Sequence, residues 1–194
     1  MIATLHGPRL DLRPLADRDM ALYVRLYSDP GAMQHIGPAQ DAVAAFAGFR
    51  AALACNAATP CVRVFWVIHD RATPQTLGLA GLSIAGTAGG EVGVLLPAPH
   101  QGRGVATEAI ALMADHAFST LRLPRLHTRH EPVHALAAGL MATLGFERLA
   151  SAARSGRWRW QLTPERWASS PRRLSTADPL TSGGLFTDGE RGNG

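Results

Sequence analysis

The chain has 194 residues, of which 46% are hydrophobic, and this length suits one domain with a sizeable core. No apolar run approaches the ~20 residues of a membrane span, and two cysteines are too few for a disulfide framework or a metal site. The formal net charge is +4, every basic residue is an arginine, and these arginines are scattered. We therefore expect neither nucleic acid nor membrane as a partner, whereas a positive surface favours an anionic ligand. The first ten residues contain no signal peptide, so a cytoplasmic location is expected.

The first part of the chain predicts one strand and two helices. Residues 10–13 alternate apolar and polar side chains and stop at Pro14, which is typical of a short strand. Residues 17–27 carry apolar side chains at helical spacing, and residues 29–31 are expected to end that helix. Asp41 can cap a second helix. The buried face of this helix is expected to carry Phe46, Phe49 and Leu53.

Three strands are expected in the middle of the chain. Residues 62–68 are a dense run of β-branched and aromatic side chains, the composition of a central strand. After a turn at 71–75, residues 76–84 are expected to pair with it. After a turn at 86–90, residues 91–96 form the third strand. A Gly-rich loop then leads into a helix whose apolar stripe is Ala106, Ile110, Met113, Ala114 and Ala117.

The last part of the domain predicts a strand, a helix and a strand pair. Residues 125–130 alternate as a strand, and residues 133–144 form a helix that ends at Gly145. Strands at 146–150 and 157–162 follow, with a turn at 155–156. In the helix, Leu136, Leu140 and Leu144 are spaced by four, and the last strand is expected to place Trp158, Trp160 and Leu162 on one face.

The order of elements predicts a single α/β domain with a mixed sheet over residues 1–168. Residues 169–194 are rich in Ser, Pro, Gly, Thr and Asp and hold few large apolar side chains. Such a segment cannot bury enough surface to offset its ordering entropy, so it is predicted to be a disordered tail.

The loop before the central helix has the composition of a phosphate-binding turn. It reads Gln101-Gly102-Arg103-Gly104-Val105-Ala106-Thr107-Glu108. A helix N-terminus offers unpaired N–H groups and partial positive charge, and glycines let a pyrophosphate approach them. The loop lacks the third glycine of a dinucleotide fingerprint and the Gly-Lys-Ser/Thr ending of a P-loop. Taken alone, it is equally compatible with an ordinary strand-to-helix turn.

Several motifs around this loop resemble those of the GNAT acetyltransferases. Gln101-x-x-Gly104-x-Ala106 matches the family's Gln/Arg-x-x-Gly-x-Gly/Ala signature, and Leu144-Gly145-Phe146 matches the motif after its last helix. The stretch 93–110 is most similar to the branch that contains the ribosomal-protein N-terminal (alanine and serine) acetyltransferases. The opening of that branch is also present, as Arg9-Leu10-x-Leu12-Arg13-Pro14, Asp19, Ser28-Asp29-Pro30 and His35-Ile36-Gly37. The resemblance covers residues 8–168.

The resemblance implies a fold and a cosubstrate. The fold would be a mixed, mostly antiparallel sheet of about six to seven strands with flanking helices and a splayed central strand pair. Acetyl-CoA would be the cosubstrate, with no metal. Backbone groups of Leu95 and Leu96 would pair with the pantetheine arm. The remaining implied cofactor-binding residues are Gln101, Gly102, Arg103, Gly104, Val105, Ala106, Thr107 and His134.

Three positions depart from the family pattern. His134 stands where the family usually has Asn, and Ala137 stands at the following Ser position. Met141 stands where some members carry a Tyr that reprotonates the thiolate. His134 could bind the cofactor or act as an acid or base, or it could be a solvated or capping residue. Glu91, which begins the cofactor strand, is the best carboxylate for a base, or else a surface residue at a strand end. Glu108 is interpreted as structural.

The implied reaction is direct transfer of the acetyl group to a primary amine, which is either a protein N-terminus or a small molecule. A strand amide near Leu95 could stabilise the oxyanion. The alternative is an acyl-CoA-binding sensor or interaction module that no longer catalyses. The chain is expected to be a monomer or a homodimer.

Overall fold

Eight strands form one open sheet in the computed structural model, which describes residues 2–149 and 156–173. They are β1 (Leu5–His6), β2 (Leu10–Pro14), β3 (Arg63–Asp70), β4 (Thr76–Ile84), β5 (Gly90–Leu95), β6 (Leu126–His130), β7 (Glu147–Arg148) and β8 (Trp158–Leu162). Their order across the sheet is β1-β2-β3-β4-β5-β6-β8-β7. The β5–β6 pair is parallel and the other neighbours are antiparallel. The predicted mixed, mostly antiparallel sheet is confirmed, and β1 is the strand that the sequence did not predict.

Six α-helices accompany the sheet within the described residues. They are α1 (Met20–Ser28), α2 (Pro30–Met33), α3 (Ala42–Ala57), α4 (Val105–Asp115), α5 (Ala135–Thr143) and α6 (Pro164–Ala168). The predicted cap of α3 is present, because the Asp41 side chain accepts a hydrogen bond from the Ala44 amide at 2.7 Å. Residues 29–31 both end α1 and begin α2, since Asp29 caps the short second helix. Neither α2 nor α6 was predicted.

The two faces of the sheet carry separate apolar cores. On one face Trp66, Leu82 and Leu126 pack against α4. On the other face Val67, Leu79 and Leu95 pack against α1, α2 and α3. Successive strand residues point to opposite faces, so each central strand contributes to both cores. Because both faces of β3 are buried in this way, most of its residues are apolar, and this dense apolar run is the pattern that predicted the strand.

Two apolar residues of the predicted helices are exposed. Phe46 is 47% exposed, because α3 turns Ala45, Phe49 and Ala52 toward the sheet instead. Leu136 is 68% exposed on α5, while Leu144 is fully buried. In both helices alanine is so abundant that the apolar spacing does not define a single face.

The end of the described chain is fixed to the centre of the fold. Trp167 of α6 is buried, and its indole Nε1 donates to Asp115 Oδ1 of α4 at 2.7 Å. The predicted hairpin turn falls partly on residues 150–155, and the predicted disordered tail falls largely on 174–194. Both segments lie outside the described residues. None of the helices within the described ranges is long and apolar enough to cross a membrane.

Candidate active site

The sheet opens between β5 and β6. These strands pair at Gly90↔Leu126 and Glu91↔His127 and then diverge. β5 continues along β4 as far as Leu79↔Leu95, while β6 continues along β8. Within the described residues, the edge of β5 that faces β6 therefore has no strand partner from Val92 onward. Backbone N–H and C=O groups on such an edge are available to a ligand that can pair as a strand does.

A cleft of about 650 Å³ occupies this opening. Its walls come from β5 and the following loop, from β6 and α5, and from the turn after α2. Residues 92–96 and Gly102, Gly104, Ala106 and Thr107 line one wall, and Thr128, His130, His134, Ala137 and Met141 line the opposite wall. The volume lies within the usual range of small-molecule and cofactor sites.

The Gly-rich loop presents backbone groups to one end of the cleft. Gly102 and Gly104 have φ values of +70° and +76°, a conformation that favours glycine. Gly104 is the N-cap of α4, and no side chain caps this helix. The first amides of α4 therefore have no side-chain partner and face a site suited to an anion. Gln101 holds the entry to the loop, because its Nε2 donates to the Leu96 carbonyl at 2.9 Å.

The loop and α4 are tied to β2 by one buried carboxylate. Glu108 accepts hydrogen bonds from the Arg9 amide at 2.8 Å, the Leu10 amide at 3.0 Å and Arg9 Nε at 2.9 Å. The Arg9 guanidinium also donates to the Arg103 carbonyl at 3.4 Å. Glu108 is thus structural, and Arg9 supports the loop from below. Sequence reasoning missed this role of Arg9, since its partner lies 99 residues away.

A close approach of two strands positions the end of β5. A Cβ atom on Gly78 would lie 2.5 Å from both the Leu95 carbonyl oxygen and Leu96 Cδ2. Glycine is therefore needed at position 78 of β4, because any side chain there would displace residues 95 and 96. Leu95 and Leu96 bury their side chains in opposite cores. Their backbone is therefore held firmly at the cleft.

The implied cofactor residues do not all face the cleft. Most of them line it, including Gln101, Ala106 and Thr107. Val105 instead buries its side chain in the core beneath α4, and Arg103 is exposed on the loop. These two can contribute backbone groups, whereas the others can also offer side-chain contacts.

His134 lies at the mouth of the cleft, at the N-cap of α5. Its ring stacks on His35, which follows α2, with ring centroids 3.9 Å apart. The ring of His130 lies edge-on at 6.1 Å. Burial lowers the pKa of His134 below its ordinary value, and the positive charges that His35 and His130 can carry lower it further. A neutral imidazole at neutral pH can accept a proton. The sequence singled out His134 but not its partner His35.

Glu91 stands where the two strands part, and it is engaged by an arginine. Arg129 Nε donates to Glu91 Oε1 at 3.0 Å, and Arg129 Nη2 donates to Oε2 at 2.7 Å. This two-point arrangement fixes the carboxylate firmly. It also raises the pKa of Arg129. To act as a base, Glu91 would have to take up a proton while its carboxylate stays paired with the Arg129 guanidinium, which favours the charged form.

The departures from the family motif are also part of the cleft. Ala137 and Met141 both line it, and Met141 is buried. Neither side chain can donate a proton. Among the described residues, no group of three or more His, Cys, Asp or Glu side chains is arranged to hold a metal ion.

Comparison with known proteins agrees with this geometry. The family model described as "Acetyltransferase (GNAT) domain" matches residues 9–147. The "Uncharacterized N-acetyltransferase p20" of Bacillus licheniformis is 26% identical over 149 residues, covering 75% of this chain and 83% of that protein. An acetyltransferase from Agrobacterium tumefaciens superimposes with a TM-score of 0.72 at 28% identity, over 84% of this chain and 95% of that one. Spermidine N-acetyltransferase from Vibrio cholerae, solved with CoA and spermine, shares the fold with a TM-score of 0.71 at 17% identity, over 84% and 99% of the two chains.

Proposed function

Because the chain belongs to the acetyltransferase (GNAT) family, we propose that it transfers an acetyl group from acetyl-CoA to a primary amine by direct attack. The observation that carries this proposal is the open edge of β5 beside an uncapped helix N-terminus. The first feature suits an amide-containing pantetheine arm, and the second suits a pyrophosphate. The two lie in one cleft, as a single extended cosubstrate requires.

The chain's own residues would act mainly by positioning. Backbone groups of Leu95 and Leu96 would hold the pantetheine arm, and the amides from Gly102 to Thr107 would hold the pyrophosphate. A backbone amide near Leu95 would stabilise the negative charge that develops on the thioester oxygen. Attack by the amine on the thioester carbon expels the CoA thiolate, so no covalent enzyme intermediate is needed. Holding both reactants in line supplies much of the rate.

Two side chains are proposed for proton transfer. His134 is neutral at pH 7 and half-buried in the cleft, so it can take the proton that the amine must lose. Glu91 is the alternative base, acting through a water molecule, and its bond to Arg129 limits it. We therefore favour His134 over Glu91. The CoA thiolate would be reprotonated by solvent or by the protonated base, since Met141 cannot do so.

A second candidate function is an acyl-CoA sensor that no longer catalyses. The specific observation in its favour is that Glu91 is held by Arg129 while Ala137 and Met141 offer no proton. The cleft would then bind acetyl-CoA and report it through α5 or the turn after α2. Both functions share the same cosubstrate site.

Two measurements test and separate these functions. Calorimetry with acetyl-CoA should show binding in either case, and absence of binding would contradict both. Release of free thiol in the presence of amines and N-terminal peptides should then occur for an enzyme only. For the enzyme, a His134→Gln variant should keep acetyl-CoA affinity but lose about 10²-fold or more in kcat at neutral pH, the usual contribution of a general base. A Glu91→Gln variant is the comparison, and a larger loss there would transfer the role to Glu91.

A further inference from the structure

A row of polar side chains crosses the sheet next to the cleft. Arg63 of β3 lies opposite Ser83 of β4, which lies opposite Glu91 of β5, which lies opposite His127 of β6. Residues directly opposite one another in a sheet share a face, so these four side chains point the same way. Arg129 and Arg159 extend the row, because they face each other across β6 and β8.

The row lies on the face that α1, α2 and α3 cover elsewhere. On β3, Phe65 and Val67 share a face with Arg63, and on β4, Leu79 shares it with Ser83. These three apolar residues pack beneath the helices. A second cavity of about 510 Å³ lies over the row, and Cys55 of α3 forms part of its lining. This cavity and the cleft share Ser83, Glu91 and Arg129 in their linings. The two spaces therefore meet at the point where β5 and β6 part.

The charges along these two spaces are strongly unbalanced. Their linings contain four arginines, namely Arg63, Arg129, Arg157 and Arg159, and one acidic residue, Glu91. Glu91 is already bound by Arg129 on both oxygens. Arg63 donates to the neutral Ser83 hydroxyl at 3.1 Å, and among the described residues Arg159 forms no ion pair. Two exposed guanidinium groups thus face the second cavity without a carboxylate.

A half-buried imidazole also lines the second cavity. This is His127, whose Nδ1 is buried without a hydrogen-bond partner among the described residues. Buried polar atoms are normally satisfied, so this nitrogen is an exception, and because its surface is covered it does not itself contact a bound anion. Its other nitrogen, Nε2, lies 3.3 Å from the Ala88 carbonyl.

We propose that the acceptor amine carries an anionic group, a carboxylate or a phosphate, which Arg63 or Arg159 binds in the second cavity while the amine reaches the cleft beside Glu91. This inference rests on the proposed acetyl transfer and adds the chemical class of the acceptor. Guanidinium groups bind carboxylate and phosphate with paired, charge-assisted hydrogen bonds. A polyamine would instead meet Arg63 and Arg159, which form no ion pair among the described residues. The same anion can belong to a small molecule or to an acidic residue behind a peptide N-terminus.

Matched amines test this inference by thiol release at saturating acetyl-CoA. O-phosphoethanolamine is compared with ethanolamine, and β-alanine with propylamine. A peptide of Ser followed by glutamates is compared with one of Ser followed by lysines, and spermidine is the polycation. We expect the anionic member of a pair to have a kcat/KM at least about tenfold higher, corresponding to one charge-assisted contact. The advantage should shrink as salt is raised, because the guanidinium groups are exposed. Preference within the small amines or within the peptides identifies the source of the anion.

Substitution of the two arginines locates the effect. An Arg63→Gln/Arg159→Gln double variant should raise KM about tenfold for the amines that carry an anionic group, while KM for the amines that lack one and the Kd of acetyl-CoA stay unchanged. Arg25→Gln is the matched control, since Arg25 is exposed on α1 and lines neither cavity. It removes one positive charge from the molecule, against two in the double variant, and should leave the preference intact.

The outcomes separate the inference from its premise. The inference is overturned if amines without an anionic group, or spermidine, are turned over equally well or better. It is also overturned if the preference for anionic amines persists in the double variant. Either result leaves acetyl transfer unaffected. Normal acetyl-CoA binding with no thiol release from any amine overturns acetyl transfer and the inference together. A preference that disappears in the double variant but persists in Arg25→Gln supports it.

Discussion

Glu108 shows how a single buried carboxylate can hold a binding loop. It is 9% exposed and accepts three hydrogen bonds from Arg9 and Leu10. We expect Glu108→Gln to lower the free energy of unfolding by about 1–3 kcal/mol, because an amide replaces one acceptor by a donor that faces other donors. Urea unfolding measures this change.

Glu147→Gln is the control for that substitution. Glu147 is exposed and lies 3.9 Å from Arg166. Its replacement should alter stability by no more than about 0.5 kcal/mol. Equal effects of the two variants would show that the Glu108 contacts contribute nothing particular to the fold.

The histidine cluster at the cleft predicts a pH dependence of stability. The folded pKa of His134 is lowered, whereas in the unfolded chain its imidazole titrates near ~6.5. As pH falls below that value the unfolded chain binds the proton first, so the free energy of unfolding decreases. The groups that face His134 are His35, His130 and Glu131, and only Glu131 opposes the shift.

An NMR titration of the His134 ring and urea unfolding between pH 5 and 8 measure this dependence. Because His69, His116 and His127 also have lowered pKa values, the wild type is compared with His134→Gln. The variant should lose less stability on acidification than the wild type. A His134 pKa above that of a free imidazole would contradict the prediction.

At the scale of helices and strands, the sequence predicted the features that depend on a local pattern of residues. The dense β-branched run of β3, the Asp41 cap of α3 and the glycine that follows α5 each carry a local signal. The two residues of β1 have no periodicity, and they form a strand because β2 offers them an edge. The sequence did not show that Phe46 of α3 is exposed, because alanine is compatible with either side of the helix. Packing against the sheet decides which residues of α3 are buried.

The candidate site divides in the same way. The loop from Gly102 to Gly104 could be predicted from the sequence, because its positive φ angles favour glycine. The Glu91–Arg129 pair is not, because it depends on the register of two strands that are 38 residues apart. The stack of His35 on His134 depends likewise on how α2 and α5 approach across the cleft.

Gly78 predicts a local effect of strand packing on cosubstrate binding. In Gly78→Ala the new methyl group would overlap the Leu95 carbonyl and the Leu96 side chain. We expect a loss of about 1–3 kcal/mol in stability. We also expect at least about tenfold weaker acetyl-CoA binding, equivalent to roughly 1.4 kcal/mol, because the end of β5 must move. Calorimetry and urea unfolding report the two changes.

Gly81→Ala on the same strand is the matched control. The nearest atoms to its added Cβ would lie 3.7 Å away, an ordinary contact. Because Gly81 lines the cleft itself, this variant is the control for stability, and its free energy of unfolding should stay close to that of the wild type. If Gly78→Ala binds acetyl-CoA as well as the wild type does, the close approach at Gly78 does not position the cosubstrate edge.

At the scale of the whole molecule, the described residues contain both cavities and both cores. We therefore expect a chain that ends at Arg173 to bind acetyl-CoA with unchanged Kd and to unfold at the same denaturant concentration. Calorimetry and urea titration of the shortened and full-length proteins check this. A tenfold loss of affinity would assign residues 174–194 to the site.

The short contact between β5 and β6 also affects how readily the sheet opens locally. Only two residue pairs join β5 to β6, as few as in the edge pairs β1–β2 and β7–β8 and fewer than between any other neighbours in the sheet. A pantetheine arm hydrogen-bonded in the gap would complete the missing rungs. Bound acetyl-CoA would then supply hydrogen bonds that complete the sheet before the reaction. These hydrogen bonds would be lost at the end of each turnover, when the product leaves. We expect amide hydrogen exchange at residues 92–96 to slow on acetyl-CoA binding and to recover when product leaves.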